Sequence, residues 1–325
     1  MNEKRSTTIL RRLMASPGAG VLAALIVFII AVSIIAPSVT GGNFLAWTNI
    51  SNVFRQQAYI GIVACAMTLV IITGHIDLSV GSQLTLLTVL CAKLSQSVGA
   101  WAIPLTILAG MACGIINGLL VKGFQINGFI TTLGTGSIFG ALTFILGTGN
   151  TERVRLPLFE FIGAGNVFGV IPMPVVILVF VIAICAFVAK KTVFGQRLYA
   201  IGANPMAAHF SGVKSRLNVA VAYAVCGLSC GISSVVLLSR AVSANPQIAS
   251  SKEMDIILAV VLGGTSVLGG KGGVLGTVIG FMFTGFMSSG FTFLAFSTHL
   301  QWIITGVVLL AALAVDVSRE RRSGL

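Results

Sequence analysis

The chain has 325 residues, of which 56% are hydrophobic and 9% charged, and it carries a net charge of +12. Its mean hydropathy of +1.02 excludes a soluble globular protein, where charged residues make up about a quarter of the chain. Lys and Arg fall in short stretches between apolar runs, which marks topology determinants facing anionic headgroups and argues against nucleic-acid binding.

In a bilayer each crossing segment must satisfy its own backbone, which leaves helices or a closed barrel. The apolar runs are continuous rather than alternating, so the sequence predicts an all-α polytopic integral membrane protein. About ten transmembrane helices are expected, near 19–37, 57–74, 79–95, 101–121, 127–147, 170–189, 217–239, 254–268, 272–290 and 298–316. The third and eighth are the weakest, being short or polar at their ends. The first follows Lys4, Arg5, Arg11 and Arg12 and reads as an uncleaved signal anchor, because nine more spans follow. Both termini are expected in the cytoplasm. That arrangement puts Arg55, Lys93, Arg153, Arg155, Arg240 and Lys252 outside and the other fourteen of the twenty Lys and Arg inside. Residues 1–325 then form one transmembrane domain, whose longest connections are an inner 190–216 and an outer 148–169. Neither is long enough to fold alone, so any energy-converting or solute-capturing domain belongs to another chain.

Along the chain, Gly74-His75-Ile76-Asp77-Leu78-Ser79-Val80-Gly81-Ser82 interrupts an apolar run. Asp77 at mid-bilayer would cost about 2.5–3.5 kcal/mol on insertion scales, which predicts a place near an interface or a wet cavity. Asp77 or Ser79 either caps the third helix or marks a bend in a translocation path. Gly110, Gly114 and Gly118, like Gly227 and Gly231, recur every fourth residue, the spacing that lets membrane helices approach closely. Asn117, Asn127, Thr131 and Thr132 bring amides and hydroxyls to the fourth and fifth spans, either for packing or to line a polar path. The six cysteines lie in or beside apolar runs and read as small apolar filler.

The polar island 190–216 carries five Lys and Arg and none of the eight carboxylates. Asn204 suits an N-cap, Pro205 a first helical position and Gly212 a C-terminal stop. With small Ala207, Ala208 and Ser211 this reads as a two-turn helix, which either docks on another protein or merely decorates a loop. Glu253 and Asp255 complement the dipole of the eighth helix. The run Gly263-Gly264-Thr265-Ser266-Val267-Leu268-Gly269-Gly270-Lys271-Gly272 is no phosphate loop. The position five before Gly270 is Thr265, and Gly272 stands where Ser or Thr is needed. It predicts a tight inner turn through Gly263, Gly264, Gly269, Gly270 and Gly272.

Taken in order, Ile76-Asp77-Leu78-Ser79-Val80-Gly81, Asn117-Gly118-Leu119-Leu120-Val121, Phe129-Ile130-Thr131-Thr132-Leu133-Gly134, Gly202-Ala203-Asn204-Pro205-Met206-Ala207-Ala208 and Val261-Leu262-Gly263-Gly264-Thr265-Ser266 resemble the permease subunits of ribose-type bacterial ABC transporters. The resemblance implies a dimer with an identical or paralogous permease in the inner membrane. It also implies ATPase chains on the cytoplasmic side and sugar delivered by a periplasmic binding protein. ATP would be bound by the ATPase partner and no cofactor by this chain, and Gly202 to Gly212 would be the ATPase-coupling segment. This sequence departs from the pattern at His75, where glycine is usual, and at Asn127-Gly128, where proline is usual. An ion-coupled secondary transporter is the main alternative, but Asp77, Asp255 and Asp316 all fall near predicted span ends rather than pairing at mid-membrane. A membrane enzyme would need converging acid, base or metal ligands, and the sequence offers isolated ones.

Overall fold

A computed structural model describes residues 17–147, 151–154, 156–308 and 310. The basic residues of both tails, Arg155 and the stretch 311–316 of the tenth expected span lie outside the described residues. In chain order the helices are α1 (Pro17–Thr40), α2 (Trp47–Ile72), α3 (Val80–Val98), α4 (Ala102–Gly123), α5 (Gly128–Gly147), α6 (Pro157–Ala164), α7 (Met173–Lys191), α8 (Val193–Ala203), α9 (Pro205–Phe210), α10 (Ser215–Ala241), α11 (Lys252–Leu262) and α12 (Val274–Phe293), followed by a helix over 298–308. Two short antiparallel pairings join the connections: Glu152–Arg153 with Ser243–Ala244, and Asn166–Val167 with Ile171–Pro172.

Seven helical stretches among the described residues are long and apolar enough to cross a bilayer, with Val80–Gly123 counted as one stretch of 44 residues. Gly99, at φ 61°, breaks that stretch between α3 and α4. The expected span 254–268 is not a single helix. Only the 11 residues of α11 are helical there, about 16 Å at 1.5 Å per residue and half of a ~30 Å hydrocarbon core. The glycines that follow end the helix and turn the chain. By contrast α2 starts ten residues before the expected 57, because Arg55 and Gln57 lowered the apparent hydropathy of a helix the protein surrounds on all sides.

That helix is the axis of the fold. From Gln57 to Ile72 every residue of α2 is buried, against α7, α10, α11 and α12. Hydrophobic burial does not draw helices together in lipid, so close packing and buried hydrogen bonds must hold them. Ser233 Oγ donates to the Tyr59 carbonyl at 2.5 Å, and Thr68 and Thr277 share a hydroxyl bond of 2.7 Å. The tightest pairing is α4 with α10. A Cβ on Gly114 would collide with the Tyr223 carbonyl, and one on Gly231 would lie 2.6 Å from Ile107 Cα. Outward faces of α1, α5 and α7 expose residues such as Ile34, Ile145 and Phe180, as a lipid-facing or partner-facing surface requires.

Candidate functional site at the basic end

The end of α2, the end of α4, the starts of α5 and α10, and the segment 192–213 gather at one end of the bundle. Lys122, Lys190, Lys191, Arg197, Lys214, Arg216 and Lys271 belong to this end, whereas Glu152, Arg153 and Glu160 lie at the other. The two ends therefore differ in charge character, and the first is the basic end.

Segment 192–213 is two helices where one was expected. Thr192 Oγ1 accepts from Gly195 N at 3.1 Å and starts α8, a cap hidden from a reading that watched only for Asn204. Asn204 Oδ1 accepts from Ala207 N at 2.9 Å, and Pro205 holds the first position of α9. Gly212, at φ 79°, turns the chain out of the helix, with Val213 N bonded to the Ala208 carbonyl. Ala208 is buried, whereas Ala207 and Ser211 face outward beside Met206 and Phe210, the last 81% exposed. A six-residue helix thus presents a small-residue face with two apolar side chains and no carboxylate.

Its anchor is a junction of three backbones. A Cβ on Gly202 would collide with the Ile72 carbonyl at the end of α2. Gly270 N donates to that carbonyl at 2.8 Å, and Tyr199 Oη donates to the Gly272 carbonyl at 2.9 Å. A Cβ on Gly269 would stand 2.8 Å from Gly74 N. Within the turn, Ser266 N bonds to the Lys271 carbonyl. Gly264, Gly269, Gly270 and Gly272 all take positive φ, while Gly263 sits at the end of α11 against Gly276.

The bend between α2 and α3 runs from Thr73 to Ser79. Asp77 is wholly buried, enclosed by protein groups. Its Oδ1 accepts from Ser79 N at 2.9 Å and from Ser79 Oγ at 2.5 Å, while Asn117 Nδ2 reaches its carboxylate at 3.3 Å and Ser79 Oγ at 2.7 Å. Gln83 Nε2 also donates to Ser79 Oγ. Thr132 Oγ1 accepts from Leu78 N, and Tyr223 Oη donates to the Ile76 carbonyl. A carboxylate is tolerated here because every neighbour that reaches it donates a hydrogen bond. Asp77, Ser79, Asn117 and Thr132 therefore form one network, with Thr131 buried nearby; Asn127 stands apart, exposed in the α4–α5 turn. Gln83 and Tyr223, which complete the network, carried no local sequence signal. As expected, Glu253 and Asp255 lie in the first turn of α11, where Glu253 packs against Gly81 at the start of α3.

Between the bend and the α4–α5 turn lies a cavity of about 710 Å³, lined by His75, Lys122, Gln125, Asn127, Ser215 and Arg216 among others. Burial, helped by the nearby Lys122 charge, lowers the His75 pKa from 6.5 to about 4. The two departures from the resembled pattern meet here: a Cβ on Gly128 would approach His75 Cδ2 to 3.3 Å and Tyr223 Oη to 2.9 Å. A ring at 75 fits because residue 128 lacks a side chain.

Residues 49–313 match a family model described as the permease component of a branched-chain amino acid transport system. The ribose import permease of Bacillus subtilis (strain 168) is 39% identical over 297 residues, covering 90% of each chain. The ribose import permease of Escherichia coli (strain K12) is 35% identical over 92% of this chain and 93% of its own. The fructose import permease of Rhizobium meliloti is 30% identical over 95% of this chain and 89% of its own. No solved structure matches. With the family matched across most of its length, the chain belongs to the ABC-importer permeases that these proteins represent.

Proposed function

We propose that the chain forms the membrane path of an ATP-driven importer for a sugar or related small polar solute. The relatives named for ribose and fructose favour a sugar over the amino acids of the family description. Family membership also favours this reading over an ion-coupled secondary transporter. In this reading a second permease chain, identical or paralogous, completes the path in the bacterial inner membrane, and a periplasmic binding protein delivers solute. The basic end faces the cytoplasm with both termini, and the chain crosses about ten times if Val80–Gly123 counts as two crossings and α11 and the helix that starts at 298 as one each. ATP is bound and hydrolysed on partner ATPase subunits, and this chain is a transporter component rather than an enzyme.

The observation that carries the docking is α9. It stands out from the basic end with Met206 and Phe210 exposed, while Gly202 presses its base against the end of α2. A helix displayed outward and tied by backbone contacts to the central helix suits the transfer of a partner's motion. The test is Ala207→Trp, which adds bulk to the outward face without entering a span. The variant should insert normally, yet lose co-purification with the ATPase and the hydrolysis stimulated by loaded binding protein. Full association with wild-type uptake would remove α9 from the docking surface.

A further inference from the structure

The cavity at the basic end has a chemistry that solute passage does not require. Its volume of about 710 Å³ falls within the ~300–1,000 Å³ of small-ligand sites. Five separate segments wall it: the bend after α2, the last turn of α4, the α4–α5 turn, the first turn of α10 and Val267 of the glycine-rich turn after α11. Lys122 and Arg216 face this space close enough to repel one another. Among the described residues neither has an ion pair, and no carboxylate lines the cavity. Two like charges held together without a counter-charge favour an anion between them.

The polar groups beside them are arranged to complement one. Asn127 Oδ1 is engaged by Phe129 N at 2.9 Å, which leaves the Nδ2 donors of Asn127 facing the cavity. His75 Nδ1 lies 3.0 Å from the Thr73 carbonyl, which only accepts, so Nδ1 carries the proton and Nε2 is left to accept from a hydroxyl. The cavity therefore offers cations and an amide donor on one part of its wall and a neutral acceptor on another. Its size exceeds that of an inorganic ion and leaves room for a polyhydroxy body.

We propose that this cavity binds a phosphomonoester of a sugar-sized solute, with the phosphate between Lys122 and Arg216 and hydroxyls against Asn127 and His75. A phosphomonoester carries about −1.5 to −2 charges at pH 7, matching the two cations. The proposal rests on the cytoplasmic placement of the basic end. There, a phosphotransferase acting on imported solute is the class of reaction that supplies the ligand. Occupancy ties the bend after α2 to the start of α10, two residues beyond Val213, which is bonded to α9. A ligand that holds these segments together slows the movement of α9, so the phosphorylated product restrains import.

The test uses the full chain in phosphatidylcholine nanodiscs, without the ATPase, and reads affinity by calorimetry and thermal shift. Ribose 5-phosphate should bind and raise the melting temperature, ribose should not, and the effect should shrink as salt rises. The double variant Lys122→Gln, Arg216→Gln should bind about tenfold or more weakly, the loss of a charge-assisted hydrogen bond or more. Asn127→Asp, on the exposed turn, places a carboxylate among the donors and should weaken binding without touching a span. Equal responses to ribose and ribose 5-phosphate would make the cavity part of the solute path and overturn the proposal. So would stabilisation by phosphatidylglycerol that needs both cations while ribose 5-phosphate has no effect, since the phosphate would then belong to a lipid headgroup. No binding of any kind also overturns it, and leaves the importer reading standing because no ATPase takes part in the measurement.

Discussion

Glycines join two parts of this molecule in different ways. Along α4 and α10 they recur every fourth residue, and Gly110, Gly114 and Gly118 lie against Ala220, Tyr223, Gly227 and Gly231 with backbone touching backbone over several turns. At the basic end Gly74, Gly202, Gly269 and Gly270 come from three unrelated segments and meet at one point. The first contact is long, periodic and internal to two spans; the second is small, irregular and attached to the short helix α9 displayed outward from that end. Length of contact sets how much stability each supplies, and what lies at the far end sets whether it transmits movement.

The largest effect is expected in the seam. Gly114→Leu forces a side chain into the Tyr223 carbonyl and within 3.0 Å of Gly227 Cα, with rigid helix backbone on both sides. Overpacking of a core costs about 1–3 kcal/mol when neighbours can shift, and here little can. The variant should fail to give a monodisperse peak in fluorescence-detected size-exclusion chromatography. A wild-type melting temperature for Gly114→Leu would mean that the helices are not packed this closely.

The junction should respond with less stability loss and more functional loss. Gly270→Ala and Gly212→Ala both place a side chain at positive φ, 73° and 79°. The backbone penalty of about 1–2 kcal/mol is therefore shared. Only Gly270 has a neighbour: its Cβ would lie 2.8 Å from Ala203 Cα, whereas nothing approaches Gly212 within 4 Å. Both variants should fold, Gly270→Ala melting somewhat lower, while uptake and binding-protein-stimulated ATP hydrolysis fall several-fold further in Gly270→Ala. Equal uptake in the two would show that the junction is only a turn.

The same contrast explains what the sequence reveals. The seam is legible because a four-residue repeat is a property of one helix, visible without its partner. Asn204, Pro205 and Gly212 are legible for the same reason, since a cap acts on backbone three residues away. The junction is not legible, because the meeting of Gly202 with Ile72 and Gly270 depends on how far α2, α8 and the 263–273 turn travel before they meet. Asp77 is equally illegible in isolation. Its burial follows from Asn117, forty residues on, and from Gln83, which reads locally as an ordinary polar helix residue. The end of α11 is not legible either, because hydropathy continues through Val267 and Leu268 after the helix has ended at the glycines. The cavity draws His75, Asn127 and Arg216 from segments far apart in sequence, and no local pattern announces it.

The smallest expected effect separates the cavity from the seam by pH. The His75 pKa is lowered from 6.5 to about 4, chiefly by burial and then by the Lys122 charge, with the Thr73 carbonyl acting in the opposite direction. Between those values the unfolded chain binds a proton that the folded chain refuses. Stability from the neutral imidazole is thus complete above about pH 6.5 and is lost as pH falls towards 4. At pH 6 the loss is under about 1 kcal/mol. His75→Gln keeps a polar side chain of similar size and removes the titration, while His209 and His299 stay in both proteins. The melting temperature of the wild type should therefore fall more steeply than that of His75→Gln between pH 7 and pH 5. Adding Lys122→Gln to the wild type should flatten the slope partway, because one of the two causes of the shift is gone. Gly114→Ser, a milder change in the seam, should lower the curve at every pH without changing its slope. Parallel curves for wild type and His75→Gln would show that the imidazole is in water rather than enclosed at the wall of the cavity.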